Sequence, residues 1–525
     1  MRIIRPEVVG HFDAKGDRYA IYSCDIQPHA NRLATAGSDC RVMLWNVDCL
    51  LDPQRPSEAQ LAVLGGHKNP VNVVRWSRDG RLLASGSDDS FIRVHRHTPL
   101  AISSFGGSQR ERWSLSCTLR GHSMDVLDLD WAPDGLLASA SVDNRILLWR
   151  LPDDEGLREV GPIRVLQGHG SFVKGLSFDP VGRYLVSAGR DNLILVWDAQ
   201  QDFKIIKTMD KPLKDSPDTT IFRRISWSPD GQSVCVASAY KSRRPIGKVL
   251  KRGTWDAEED GVDLVGHSAC SISTRFSQSV MSFIMPEARR VEPKKREVGA
   301  GGAEKDDSMD VEGGGDRDGG GSGKGGRGDG GDREDSLLNL TTTSTSAPTT
   351  TSTSSSSSAP FSPALGTGTE VEEREGTGTQ GEEEEEGEGT EAGTEVGAGT
   401  GAEMGGRRRV GCAVALGDQQ GVLSIWGTHD TRPLYVLRDV CAGAITDIAW
   451  KPVLFPLSEG PGVGTGGGKQ REREQRRREA VYLVCCGIDG VVTIVDLENE
   501  LGTPLSEAAL DRHLQQFYGQ RGAVG

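Results

Sequence analysis

The chain has 525 residues, ten scattered cysteines and a formal charge of −14. Residues 285–409 carry 27 acidic and 14 basic side chains, which leaves the rest of the chain at −1. This excludes an acidic folded protein, and the length admits several domains or one large repeat fold. No Cys-x-x-Cys pair marks a zinc site, and cysteines in strand-like runs such as Val481–Cys486 suit reduced core thiols. The start, Met1-Arg-Ile-Ile-Arg-Pro6, is too short and polar for a signal peptide. No apolar run approaches the roughly 20 residues of a membrane span.

One phrase recurs along the chain: Gly-His, about twenty residues, Asp, five residues, Trp. Its clearest copies are Gly121-His122 through Ser139 and Asp143 to Trp149, and Gly168-His169 through Ser187 and Asp191 to Trp197. Each copy spells four short strands, and stacked radially such sheets form blades of an all-β propeller.

Seven strand groups follow in chain order. The first runs from about Tyr19 to Val47, with Thr35, Asp39 and Trp45 in the expected places. The second opens at Gly66-His67, carries Ser85 and Asp89, and has His95 where Trp is usual. The two clear copies are the third and fourth. The fifth holds Arg224–Gly231 and Ser233–Ser238, lacks the Asp-x5-Trp ending, and reaches Trp255 irregularly. The sixth opens at Gly266-His267, resumes at Gly411 and closes at Trp426, with Gln420 six residues before it. The seventh holds Ile445–Trp450, Val481–Cys486, Asp489 and Val495. Alternating apolar residues make the strands, and Pro-Asp-Gly or Arg-Asp-Gly turns join them. The strand Arg2–Arg5 is expected to complete the last blade and close the ring.

The spacing therefore predicts a seven-bladed propeller over residues 1–500, with two insertions. Residues 285–409 hold one aromatic residue, Phe361, and are expected to be a disordered acidic Gly/Ser/Thr-rich insertion in blade 6. Residues 457–480 are expected to be a charged loop in blade 7. The tail, 501–525, has a helix-start signature at Ser506.

The repeated polar residues have a structural reading. Asp accepts from His, His meets the Ser or Thr hydroxyl, and the hydroxyl meets the Trp N–H. His67, Ser85 and Asp89 form one set; His122, Ser139, Asp143 and Trp149 another; His169, Ser187, Asp191 and Trp197 a third. A Ser/His/Asp trio also suggests a hydrolase. The blade-length recurrence and the lack of a Gly-x-Ser-x-Gly elbow beside these serines speak against that. No catalytic residue, cofactor site or metal site is expected.

At this point the residues resemble a particular family. Met1–Pro6, Phe105–Ser108 with Glu111–Leu115, Asp125–Trp149, Gly170–Tyr184, Gly253-Thr-Trp255 before Leu264–His267, and the tail Leu501–Glu507 ending Tyr518-Gly519 are similar to the N-terminal WD-repeat propeller of HIRA/Hir-type histone chaperones. The resemblance implies a nuclear, non-catalytic scaffold for replication-independent deposition of histone H3/H4, nucleosome assembly and transcription regulation. It implies engagement of a ubinuclein-type subunit, with DNA met weakly or indirectly and no membrane. In that family a basic motif after the propeller binds the anti-silencing-function chaperone, and a C-terminal half drives self-association. The sequence given ends at Gly525 with no candidate for either, so these residues are expected to be a fragment, a truncated gene model or half of a split subunit. The propeller subunit of chromatin assembly factor 1 is the nearest alternative, sharing Ser141–Asn144. A ubiquitin-ligase substrate receptor is another, but Trp-Asp-x-Arg is absent at Trp197-Asp-Ala-Gln200 and Trp149-Arg-Leu-Pro152.

Blade 5 supplies the candidate partner-binding residues: Arg223, Arg224, Lys241, Arg243 and Arg244, set against the plainer reading of solvated charges. Arg289–Arg296 is a candidate import signal, Glu382–Glu386 a candidate histone shield, and Ser362-Pro363 a candidate phosphorylation site.

Overall fold

The computed structural model describes residues 1–98, 110–152, 158–255, 261–284, 408–451 and 481–518, apart from positions 53, 56–57, 429, 498–500, 502 and 506. The sequence candidates at 105–108, 289–296, 362–363 and 382–386, and the bulk of both insertions, lie outside the described residues.

Seven antiparallel sheets form the blades of a propeller. Blade 3 is representative, with strands Val126–Trp131, Leu137–Ser141, Arg145–Trp149 and Arg164–Gln167 in spatial order. The turn between the first two needs a positive φ, which Gly135 supplies at +81°. The innermost strands touch in a closed ring: Ile21–Ile26, Val71–Trp76, Val126–Trp131, Val173–Phe178, Ser226–Trp227, Ser271–Ile284, Ile445–Trp450, then Ile21–Ile26 again. Arg2–Ile4 pairs with Val492–Asp496, so the N-terminus supplies the outer strand of blade 7. Arg2 also donates to Asp496 at 2.8 Å.

The inner strands would otherwise leave edge N–H groups unpaired beside the axis, a cost the packing avoids. Short acceptors on one blade take up backbone N–H groups of the next. Asp25 accepts from Trp76 N at 2.8 Å, Asp130 from Phe178 N at 2.7 Å, Ser177 from Trp227 N at 3.3 Å and Ser226 from Phe276 N at 3.0 Å. Tryptophans at inner-strand ends stitch backwards as well. Trp76, Trp131 and Trp450 donate their indole N–H to backbone oxygens of Asp25, Arg75 and Arg275. Between blades lie apolar layers such as Val73, Leu129, Trp131 and Trp149.

Two blades carry a fifth strand. Arg158–Val160 adds in parallel to Arg112–Leu119 of blade 2. Thr503–Pro504 adds to the inner strand of blade 6. The helix Glu507–Tyr518 follows. Leu505 and Leu510 pack on the apolar layer between blades 5 and 6. Tyr518 reaches Gly231 O at 3.4 Å, with Arg252 over its ring at 4.2 Å. Gly231, at φ +68°, has to be glycine here, because a Cβ would collide with the Tyr518 hydroxyl.

Candidate functional site

The face that carries the His–Asp turns is called the upper face; the Pro-Asp-Gly turns lie on the lower. In blade 3, His122 Nδ1 lies 2.8 Å from Asp143 and Nε2 lies 2.7 Å from Ser139 Oγ, which accepts from Trp149 Nε1 at 2.9 Å. In blade 4 His169, Asp191, Ser187 and Trp197 repeat this at 3.0, 2.8 and 2.9 Å. With Nδ1 protonated, every polar group in the chain has a partner. Burial works against the ionised Asp143, but His122, by hydrogen bond and charge, together with the backbone N–H groups of Ser123 and Arg145, outweighs it and holds the carboxyl below its usual range. Asp89 and Asp191 are held down by His67 and His169 in the same way. The serine is fully buried and its hydroxyl is spoken for on both sides. Its hydrogen bonds thus serve the relay within the blade.

Blade 1 contains a fourth set that the sequence reading left incomplete. His11 bonds Asp39 at 2.7 Å and Thr35 at 3.0 Å, and Trp45 donates to Thr35 at 2.9 Å. His11 opens a hairpin, His11–Phe12 with Arg18–Tyr19, that precedes the first strand of the blade. The dipeptide Gly10-His11 was the available signal, masked by the longer spacing to Asp39.

Blade 6 keeps the chemistry and moves the residues. His267 bonds Asp418 at 2.8 Å and Ser424 at 2.6 Å, and Trp426 donates to Ser424 at 2.7 Å. In blade 4 the serine is on the second strand, with Ser187 opposite Leu195. In blade 6 the pair is exchanged: Leu416 stands opposite Ser424 on the third strand. The acid also shifts, from the position of Gln420 back to Asp418. A hydroxyl from either strand of one cross-strand pair can therefore fill the same polar slot.

Blade 2 keeps His67–Asp89 and His67–Ser85, both at 2.9 Å. His95 replaces the Trp, and its buried Nδ1 has no partner. Burial, then the neighbouring His67 and Arg93, push its imidazole down to about 3, so it is neutral. In blade 7, Asp489 accepts from Ala442 N instead of a histidine.

The axis holds a cluster that no linear motif announces. Arg75 of blade 2, Asp128 of blade 3, Arg224 of blade 5 and Asp447 of blade 7 meet there, all nearly inaccessible. Arg75 bonds Asp447 at 2.7 Å, and Arg224 bonds Asp128 at 2.7 Å. Arg224 also donates to Thr446 O, Tyr22 O and Asn72 O, three further blades' worth of backbone acceptors with blade 1 among them. Burial opposes the charge on Asp447, but Arg224, Arg75 and Arg275 outweigh it and hold the carboxyl at about 2. Leu127, Phe222 and Ile272, backed by Tyr22, form an apolar cluster.

The basic residues of blade 5 therefore separate into two groups. Arg223 and Arg224 are not surface candidates: Arg224 belongs to the axial cluster, and Arg223 donates to Gly189 O, Asn192 Oδ1 and Ser216 Oγ with no exposure. The cause is the strand entering blade 5, which runs beside the axis. Lys241, Arg243 and Arg244 do stand exposed, at a tight hairpin where Lys241 pairs with Arg244 and Ser242 and Arg243 take positive φ. Asp263 accepts from Lys241 and Lys248, each at 2.5 Å. Trp255, reached through Gly253, packs edge-on against Trp227 at 5.6 Å and completes the layer between blades 4 and 5. Among the described residues, no group of three or more His, Cys, Asp or Glu side chains could hold a metal. No helix among them is long and apolar enough to cross a membrane.

Residues 1–255 match the family model of the CAF1B/HIR1 beta-propeller domain. Protein HIR1 of Mycosarcoma maydis is 35% identical over 291 residues, which cover 53% of this chain and 28% of that protein. Protein hir1 of Schizosaccharomyces pombe is 34% identical over 290 residues, covering 53% and 30%. Protein hir-1 of Neurospora crassa is 33% identical over 309 residues, covering 55% and 29%. The chain thus spans less than a third of the length of these relatives. The matched residues and the seven closed blades make this chain similar to the CAF1B/HIR1 beta-propeller domain and to the propellers of HIR1-type proteins.

Proposed function

We propose that the chain is a non-catalytic scaffold subunit of a HIRA-type histone chaperone complex, acting in the nucleus in replication-independent deposition of histone H3/H4. The match of residues 1–255 to the CAF1B/HIR1 propeller carries this reading. Its mechanism is docking on rigid blades: the polar sets hold the upper turns, and the axial ions lock the blades together. Partners are a ubinuclein-type subunit and, directly or through it, H3/H4. The exposed Lys241, Arg243 and Arg244 hairpin is the remaining upper-face candidate for an acidic segment of a partner.

A pulldown of the purified chain with a ubinuclein-type subunit, and separately with H3/H4, at about 50 and 200 mM salt tests this. Capture of either partner at the higher salt supports it. Capture of neither at the lower salt would sink it.

A further inference from the structure

The lower face contains a cavity of about 870 Å³ between the Arg78–Gly80 turn of blade 2 and the Pro133–Gly135 turn of blade 3. That size lies within the range of sites that hold a small ligand or a few peptide residues. Among the described residues, its walls carry five arginines, Arg32, Arg78, Arg81, Arg96 and Arg150, and no lysine, against Asp79 and Asp134. Its apolar wall includes Trp113, Trp131 and Leu82. Trp113 is fixed there by edge-on contacts to Trp76 at 5.3 Å and His97 at 5.2 Å, and it donates to Glu111 at 3.0 Å.

Three of the arginines are held by partners, and Arg81 stands 3.6 Å from Asp79. Glu111 grips Arg32 through both of its oxygens at 2.8–2.9 Å. Asp134 takes Arg150 at 2.9 Å, with Asp134 O accepting a second bond at 2.7 Å. Arg78 donates to Trp131 O at 3.0 Å, while its guanidinium lies 3.9 Å from Asp130. Counting Glu111 and Asp130 as well, arginine still exceeds carboxylate by one. Arg78, Arg81 and Arg150 keep side-chain exposures of 44%, 83% and 48%. The cavity thus offers partly exposed guanidinium groups above an aromatic wall, each of which a ligand carboxylate would share with a resident partner. Guanidinium forks match carboxylates in pairs, and a preset fork loses little freedom on binding.

We propose that this lower-face cavity binds an acidic peptide segment of a partner protein, with carboxylates on Arg78, Arg81 and Arg150 and an apolar residue against Trp113. The site lies on the opposite face from the Lys241–Arg244 hairpin.

The test uses a fluorescein-labelled eight-residue peptide of alternating glutamate and leucine, titrated against the whole chain at about 50 mM salt. Saturable binding, weakened about tenfold or more in the Arg78→Glu/Arg150→Glu variant and unchanged in Arg243→Glu/Arg244→Glu, is the expected result. The milder Arg78→Lys variant should lose part of the affinity, because it keeps charge but not the fork. Unfolding curves check that each variant is folded; the altered residues are exposed, so folding should survive. Equal binding by wild type and the lower-face variant, or none by wild type, would overturn the proposal. So would selective binding of a phosphoserine peptide in place of the glutamate one. Because the probe contains neither histone nor ubinuclein-type sequence, failure here leaves the pulldown outcome untouched.

Discussion

The polar sets of the blades and the ion cluster at the axis solve the same problem over different distances. In blade 3 the four partners span residues 122–149, and every bond is local to one sheet. At the axis, Arg75, Asp128, Arg224 and Asp447 come from four blades, with up to 372 residues between bonded partners. Local sets pin the turns of the blades that carry them; the axial set ties blades to one another. A buried hydroxyl relay costs little once satisfied, whereas buried ions must offset a large desolvation cost and tolerate no missing member.

The sharpest break in that comparison is Arg224→Met. It removes the shorter of Asp128's two ion pairs, leaving only Arg75 at 3.4 Å, and three backbone contacts, so a loss of about 3–5 kcal/mol is expected in urea unfolding. Adding Asp128→Leu should recover part of it, since an apolar pair of similar volume avoids the weakly paired charge. Ser139→Ala in blade 3 should cost less, about 1–3 kcal/mol, because it leaves only His122 Nε2 and Trp149 Nε1 without their partner. If Ser139→Ala proved the more damaging, the axial cluster would not be what couples the blades.

Blade 6 sharpens the local side. Ser424→Leu alone should cost about 1–3 kcal/mol, for the same reason as Ser139→Ala. Combined with Leu416→Ser it rebuilds the arrangement of Ser187 and Leu195, and stability should return to within about 1 kcal/mol of wild type. A double variant no better than the single one would show that the two strand positions are not equivalent.

What could be read from the sequence follows the same division. Blades 3 and 4 were legible because their partners recur at a fixed spacing, and seven such groups imply closure. His11 escaped because a hairpin lengthens its spacing, and Asp418 and Ser424 escaped because the same slot is filled from other positions. Arg224 was misplaced on the surface because a charge on a short strand reads as solvated unless its neighbours in space are known. Neither the cluster nor the lower-face arginines leave a periodic trace: the four cluster members come from four blades and the five arginines from three neighbouring ones, and only packing of the blades brings them together.

His95 gives the smallest effect and isolates one slot of the local network. In blades 3 and 4 an indole N–H completes the relay; in blade 2 a neutral imidazole takes its place with an unpaired nitrogen. Its pKa is lowered to about 3 in the fold, against about 6.5 when unfolded. Below pH 6.5 the unfolded chain therefore binds a proton that the folded chain refuses, and stability falls as pH falls. Between pH 6.5 and 5 this one residue should remove about 1.5 kcal/mol. Other groups tilt the profile too: Asp88, lifted to about 6 by burial, favours the fold as pH drops from 6 towards 4. The informative quantity is thus the difference between wild type and His95→Phe, measured by urea unfolding at pH 7, 6 and 5. That difference should shift in favour of the variant as pH falls. A constant difference across the three pH values would mean that His95 accepts its proton in the folded blade.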